Sequence, residues 1–118
     1  MARPPLLLPR PEGLYCPAGD FFIDPTRPVP RALITHGHSD HARPGHGAVM
    51  ATQQTLDIMA IRYGEDFAQS RQPAKGPTRI GEVTVSFHPA GHVLGSAQIA
   101  VESPTQRIVV SGDYARVP

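Results

Sequence analysis

Residues 33–46 read LITHGHSDHARPGH, which places four of the chain's six histidines and one aspartate within fourteen positions. Two readings compete for such a stretch: a histidine-rich surface turn, or a loop built around a cation. What precedes it decides between them. Residues 31–35 (RALIT) form a short apolar run that ends abruptly at His36, the pattern of a buried strand. A strand end is a rigid platform, and His36 and His38, two positions apart, fall on one face while the chain stays extended. Gly37 between them admits backbone angles that other residues resist. Both imidazoles can then close on one ion at about 2.0–2.1 Å. If the chain next turns helical, Asp40 and His41 project differently and can serve a second ion. An aspartate beside a histidine offers a hard oxygen and a borderline nitrogen, a set suited to Zn, Mn or Fe.

Further ligands are expected at other strand ends. His92 lies in PAGHVLGSAQ, after an alternating run VTVSF at residues 83–87, and is flanked by Gly91 and Gly95. Asp113 lies in VVSGDY, after the run Ile108, Val109, Val110. Three strands thus finish in His or Asp, and ends gathered at one edge of a sheet would bring their ligands together without long loops, with Asp113 placed to bridge two metals.

The bulk properties are compatible with a small enzyme domain and exclude several alternatives. A chain of 118 residues is one domain with a modest core. Its net charge of +1 gives no general electrostatic argument for nucleic acid. Ten of its eleven basic residues are arginine, Lys75 being the exception; arginine suits phosphate contacts, although a GC-rich genome gives the same bias. The single Cys16 cannot form an internal disulfide, which favours a reducing, cytoplasmic setting and a packing role. MARPPLLLPRPEG at the start has only three consecutive leucines between prolines, neither a secretory core nor a membrane span.

Along the chain, GLYCPAGDFFID (13–24) predicts two short strands around a Pro-Ala-Gly turn. AVMAT (48–52) predicts another strand. Thr52 reads as the N-cap of a helix through Tyr63, with Leu56, Met59, Ala60 and Tyr63 on one face and Gly64 as the stop. Residues 64–79, polar and punctuated by Pro and Gly, are expected to be a loop. EVTVSFHP points Val83, Val85 and Phe87 inward. SAQIAVES and RIVVSGD follow as two strands joined through Ser103-Pro104-Thr105-Gln106, a hairpin. The order is strand-rich with one clear helix, an α+β or layered α/β design.

HGHSDH matches the H-x-H-x-D-H motif of the metallo-β-lactamase superfamily, and the later histidine and SGD follow in that superfamily's order. AGHVLGSAQ is similar to its β-CASP nuclease branch. FFIDPTRPVPRALITHGHSDHARPGH most resembles the bacterial DNA-ligase-associated exonucleases of that branch. The resemblance runs from Asp20 onward. It implies an α/β fold, the αββα sandwich, with residues 1–118 forming its N-terminal portion and the β-CASP insertion and C-terminal part absent. It implies two divalent metal ions, zinc first and manganese second. His36, His38 and His92 would hold one, Asp40 and His41 the other, and Asp113 would bridge them. Asp24, in FFIDP, would support the histidine loop without binding metal. His46 and His88 match no ligand position and read as a loop and a strand-end histidine.

The chemistry implied is metal-assisted hydrolysis of a phosphodiester, with Asp40 also orienting the attacking water. The implied partners are a nucleic-acid substrate, DNA ahead of RNA, and a DNA ligase or helicase, with no membrane. The other functions open to the same residues are a thioester or lactone hydrolase and a non-catalytic metal-binding fragment. A chain ending after RIVVSGDY is expected to leave its first sheet without a second layer, turning Val83, Val85 and Phe87, or Ile108 and Val110, toward water.

Overall fold

A computed structural model describes residues 5–36, 42–89 and 97–111. The chain opens with β1 (Leu8–Arg10), β2 (Gly13–Cys16) and β3 (Phe21–Ile23), an antiparallel meander. Next come β4 (Arg31–Leu33), β5 (His46–Ala51), helix α1 (Gln53–Tyr63) and β6 (Ala68–Pro73). Strands β3 to β6 are mutually parallel and complete a six-stranded sheet in the order β1-β2-β3-β4-β5-β6. A four-stranded antiparallel sheet follows, of β7 (Thr78–Ile80), β8 (Val83–Pro89), β9 (Ala97–Glu102) and β10 (Arg107–Ser111).

Alternation along the strands of the first sheet sends side chains to two separate cores. Phe21, Ile23, Leu33 and Met50 face the second sheet and pack with Val83, Val85, Ile99 and Val101. Their neighbours Ala32, Ile34, Val49 and Ala51 point the other way, onto Leu56 and Met59 of α1 and onto Phe67. Fully burying an aliphatic side chain of this size stabilises by about 1.5–3 kcal/mol, so both faces of the sheet contribute. The described residues therefore build three layers, helix, sheet and sheet, an α/β arrangement in which no described helix covers the outer face of the second sheet.

Helix α1 forms where the sequence predicts it. Thr52 Oγ1 accepts from the Thr55 amide at 3.3 Å. Gly64, at φ 98°, ends the helix in a conformation that a side chain would resist, and its N–H donates to the Ala60 carbonyl. The hairpin at residues 103–106 also forms, with the Ser103 amide donating to the Gln106 carbonyl and Ser103 Oγ accepting from the Gln106 amide.

Three expectations are corrected. Residues 64–79 are not a loop, since they contain β6 and the first two residues of β7. The sequence AQSRQP hides β6 because an exposed edge strand shows no apolar alternation; its backbone pairing with β5 holds it in place. The strands expected to end at one edge of a single sheet lie in two, β4 in the first and β8 and β10 in the second. Val83 and Val85 are not turned to water, because the two sheets cover each other and leave each residue 1% exposed. Val110 also packs on that core, whereas Ile108 is 37% exposed.

Candidate metal centre at the seam of the two sheets

Because β3 and β4 are parallel, their C-terminal ends lie side by side, and the chain beyond each enters the candidate site. Asp24 follows β3 at φ 48°, a left-handed conformation that aspartate tolerates better than most residues. Its amide donates to the Leu33 carbonyl at 2.9 Å, which ties the turn to β4. The carboxylate then grips Thr35 twice, Oδ1 accepting from the backbone amide at 2.8 Å and Oδ2 from the hydroxyl at 2.7 Å. Thr35 Oγ1 also lies 2.9 Å from Nδ1 of His36. His36 is 2% exposed and Thr35 1%, so the contact between them is shielded from water, while Asp24 is half-buried.

The second sheet meets the first at the same place. The Ala97 amide, at the start of β9, donates to the Thr35 carbonyl at 2.7 Å. Ala97 pairs with Pro89 of β8, and the adjacent Gln98 pairs with Ser111 of β10. The described residues that flank segments 90–96 and 112–118 therefore stand close to Thr35 and His36. On the far side of segment 37–41, Ala42 is buried and its carbonyl accepts from the Tyr63 hydroxyl at 2.8 Å, which anchors it to the end of α1.

Of the predicted site residues, Asp24 and His36 are described and are joined through Thr35. His38, Asp40, His41, His92 and Asp113 lie outside the described residues. Among the described residues no three His, Cys, Asp or Glu side chains gather. The arrangement at His36 fits a metal ligand: a buried imidazole whose second nitrogen is engaged, with a carboxylate behind it, is how metal-binding histidines are held. Thr35 was not singled out by sequence reasoning. The available signal was a hydroxyl directly before the first histidine of the motif.

His46, read as a loop histidine, is instead the first residue of β5 and is 1% exposed. Its Nδ1 accepts from the Val29 amide at 3.2 Å, and burial holds its pKa below the ordinary histidine value. Cys16 is fully buried, and burial pushes its thiol pKa up, which suits an inert packing residue. Among the described residues, no helix is long and apolar enough to cross a membrane.

No family model matches the chain. It is 30% identical over 105 residues to a probable DNA ligase of Opitutus terrae, a match covering 87% of this chain and 10% of the relative. It is 29% identical over 119 residues to Ribonuclease TTHA0252 of Thermus thermophilus, covering 79% of this chain and 27% of the relative. The chain thus spans about a tenth and about a quarter of these curated relatives. Among solved structures, the flavodiiron protein from Giardia intestinalis superposes with a TM-score of 0.61 at 17% identity, over 75% of this chain and 29% of that one. Zn(2+)-bound PqqB from Methylobacterium extorquens superposes with a TM-score of 0.51 at 13% identity, over 94% of this chain and 55% of that one. At these identities the likeness is one of fold, and both neighbours have the metallo-β-lactamase fold.

Proposed function

We propose, on the premise that the chain resembles the metallo-β-lactamase superfamily in sequence and fold, that it carries the metal-binding segment of a phosphodiester hydrolase acting on nucleic acid. The observation that carries this reading is the hold on His36 at the head of the H-x-H-x-D-H motif. The half-buried Asp24 carboxylate grips Thr35, and Thr35 engages the ring at the seam where both sheets meet. In this reading His36, His38 and His92 hold one divalent cation, Asp40 and His41 a second, and Asp113 both. Zinc or manganese held by these residues would supply the positive charge that lowers the pKa of a water and offsets charge on the phosphoryl oxygens. Asp40 orients that water through its carboxylate.

The two curated relatives, named for a DNA ligase and a ribonuclease, support nucleic acid as the substrate class. We place DNA first, in an exonuclease working beside a ligase in the cytoplasm. The test is cleavage of single-stranded DNA, RNA, bis(p-nitrophenyl) phosphate and a thioester by the protein with zinc or manganese. Asp40→Ala should lower phosphodiester cleavage by more than about a hundredfold, the scale of losing a general base or an electrostatic stabiliser. Near wild-type cleavage by that variant would remove the role given to Asp40, and cleavage of the thioester alone would overturn the nuclease reading.

A further inference from the structure

We infer that Thr35 is a positioning residue that, with Asp24, fixes the tautomer of His36. The inference deepens the metal-binding reading and rests on it only for the use to which the ring is put. Proton accounting along the three side chains gives the result. An ionised carboxylate can only accept. The 2.7 Å contact between Thr35 Oγ1 and Asp24 Oδ2 therefore consumes the one hydroxyl proton of Thr35. The remaining contact, Thr35 Oγ1 to His36 Nδ1 at 2.9 Å, must then be supplied with a proton by the ring. In the neutral imidazole this puts the proton on Nδ1 and the lone pair on Nε2, the form in which Nε2 can ligate a cation.

The hydroxyl acts here as a proton-direction relay between Asp24 and the ring. Asp24 is itself held on two counts, since the Thr35 amide also donates to its Oδ1. The hydroxyl therefore has no acceptor choice that would reverse the relay while the carboxylate stays ionised. The sequence feature required is a hydroxyl residue at position 35, and valine, of similar shape, would not serve.

The variants separate this role from a merely structural one. In Asp24→Asn, the amide oxygen can take over acceptance from the Thr35 N–H while the amide nitrogen donates to Thr35 Oγ1. The hydroxyl proton then turns toward His36 Nδ1 and the ring proton moves to Nε2. In Thr35→Val the relay is absent, and Thr35→Ser restores it. Imidazole nitrogen NMR on the metal-free 118-residue chain reads the tautomer directly, and zinc titration reads its consequence.

The expected results are an Nδ1–H tautomer in the wild type and in Thr35→Ser, and Nε2–H in Asp24→Asn. Zinc affinity should fall by about 10–100-fold in Thr35→Val, the usual cost of removing such a support, and return toward wild type in Thr35→Ser. An Nε2–H ring in the wild type would overturn the inference without any variant having to fold. So would a Thr35→Val protein with wild-type tautomer and zinc affinity. A wild-type chain showing Nδ1–H but taking up no zinc would support the relay and refute the metal-binding reading, so the two failures are distinguishable.

Discussion

His46 sets a pH dependence that can be isolated by one substitution. Its ring is buried at the start of β5, with Nδ1 accepting from the Val29 amide. The neutral ring must therefore carry its proton on Nε2, which has no hydrogen-bond partner among the described residues. A second proton would have to enter at Nδ1, against the Val29 N–H, in a site without solvent. Burial accordingly lowers the folded-state pKa from its ordinary value of 6.5. The sign follows from linkage. Below about pH 6.5 the unfolded chain binds a proton at this position that the folded chain resists, so stability falls as pH falls. If the folded ring stays neutral throughout, the loss between pH 7.5 and 5.5 is at most about 1.4 kcal/mol, the unfolded-state protonation free energy over that interval. His46→Asn places its side-chain oxygen near the position of Nδ1 and does not titrate. Urea unfolding followed by circular dichroism, with chelator present, should show the wild type losing more stability than the variant between those pH values, by up to that bound. The other five histidines are common to both proteins and cancel in the difference. Equal losses in the two proteins would refute the reasoning.

Two further outcomes test the packing. A Cβ on Gly47 would lie 2.5 Å from the Pro30 carbonyl oxygen, a backbone atom that cannot step aside, so Gly47→Ala should destabilise by about 1–3 kcal/mol in thermal unfolding. Ile99, fully buried between the sheets, should cost about 2–5 kcal/mol as Ile99→Ala, whereas Ile108→Ala, at a site already 37% exposed, should cost less than about 1 kcal/mol by denaturant titration.

What was legible in the sequence was whatever has a one-sided environment. The helix announced itself through Thr52, Gly64 and the stripe of Leu56 and Met59, because one face meets the sheet and the other meets water. Val83, Val85 and Phe87 alternate for the same reason in β8. Strand β6 was illegible because AQSRQP is solvated along most of its length, and its hydrogen bonds to β5 leave no trace in side-chain type. The division into two sheets was illegible because strand order is set by long-range pairing, and β4 and β8 look alike as short apolar runs. At the site, His36 and Asp24 could be picked out by residue type and motif. Thr35 was signalled only by its place before His36, since its part depends on a left-handed turn at Asp24 that aims the carboxylate across two parallel strand ends. His46 was misread because a histidine after Pro and Gly looks like a turn residue, while its burial comes from neighbours distant in sequence, Val29 among them.

The bond from the Ala97 amide to the Thr35 carbonyl means that the position of His36 is not a property of its own loop. The turn that carries Thr35 and His36 leaves the six-stranded sheet and is pinned by the four-stranded one, so parting the layers would release it. Segments that open independently of the core usually have few buried contacts and solvent-exposed backbone bonds. Thr35 and His36 have neither, being almost wholly enclosed. Their geometry is thus insured by the whole sandwich, and a substitution in the core between the sheets, such as one at Ile99, would reach Thr35 and His36 by lowering the population of chains whose layers are closed.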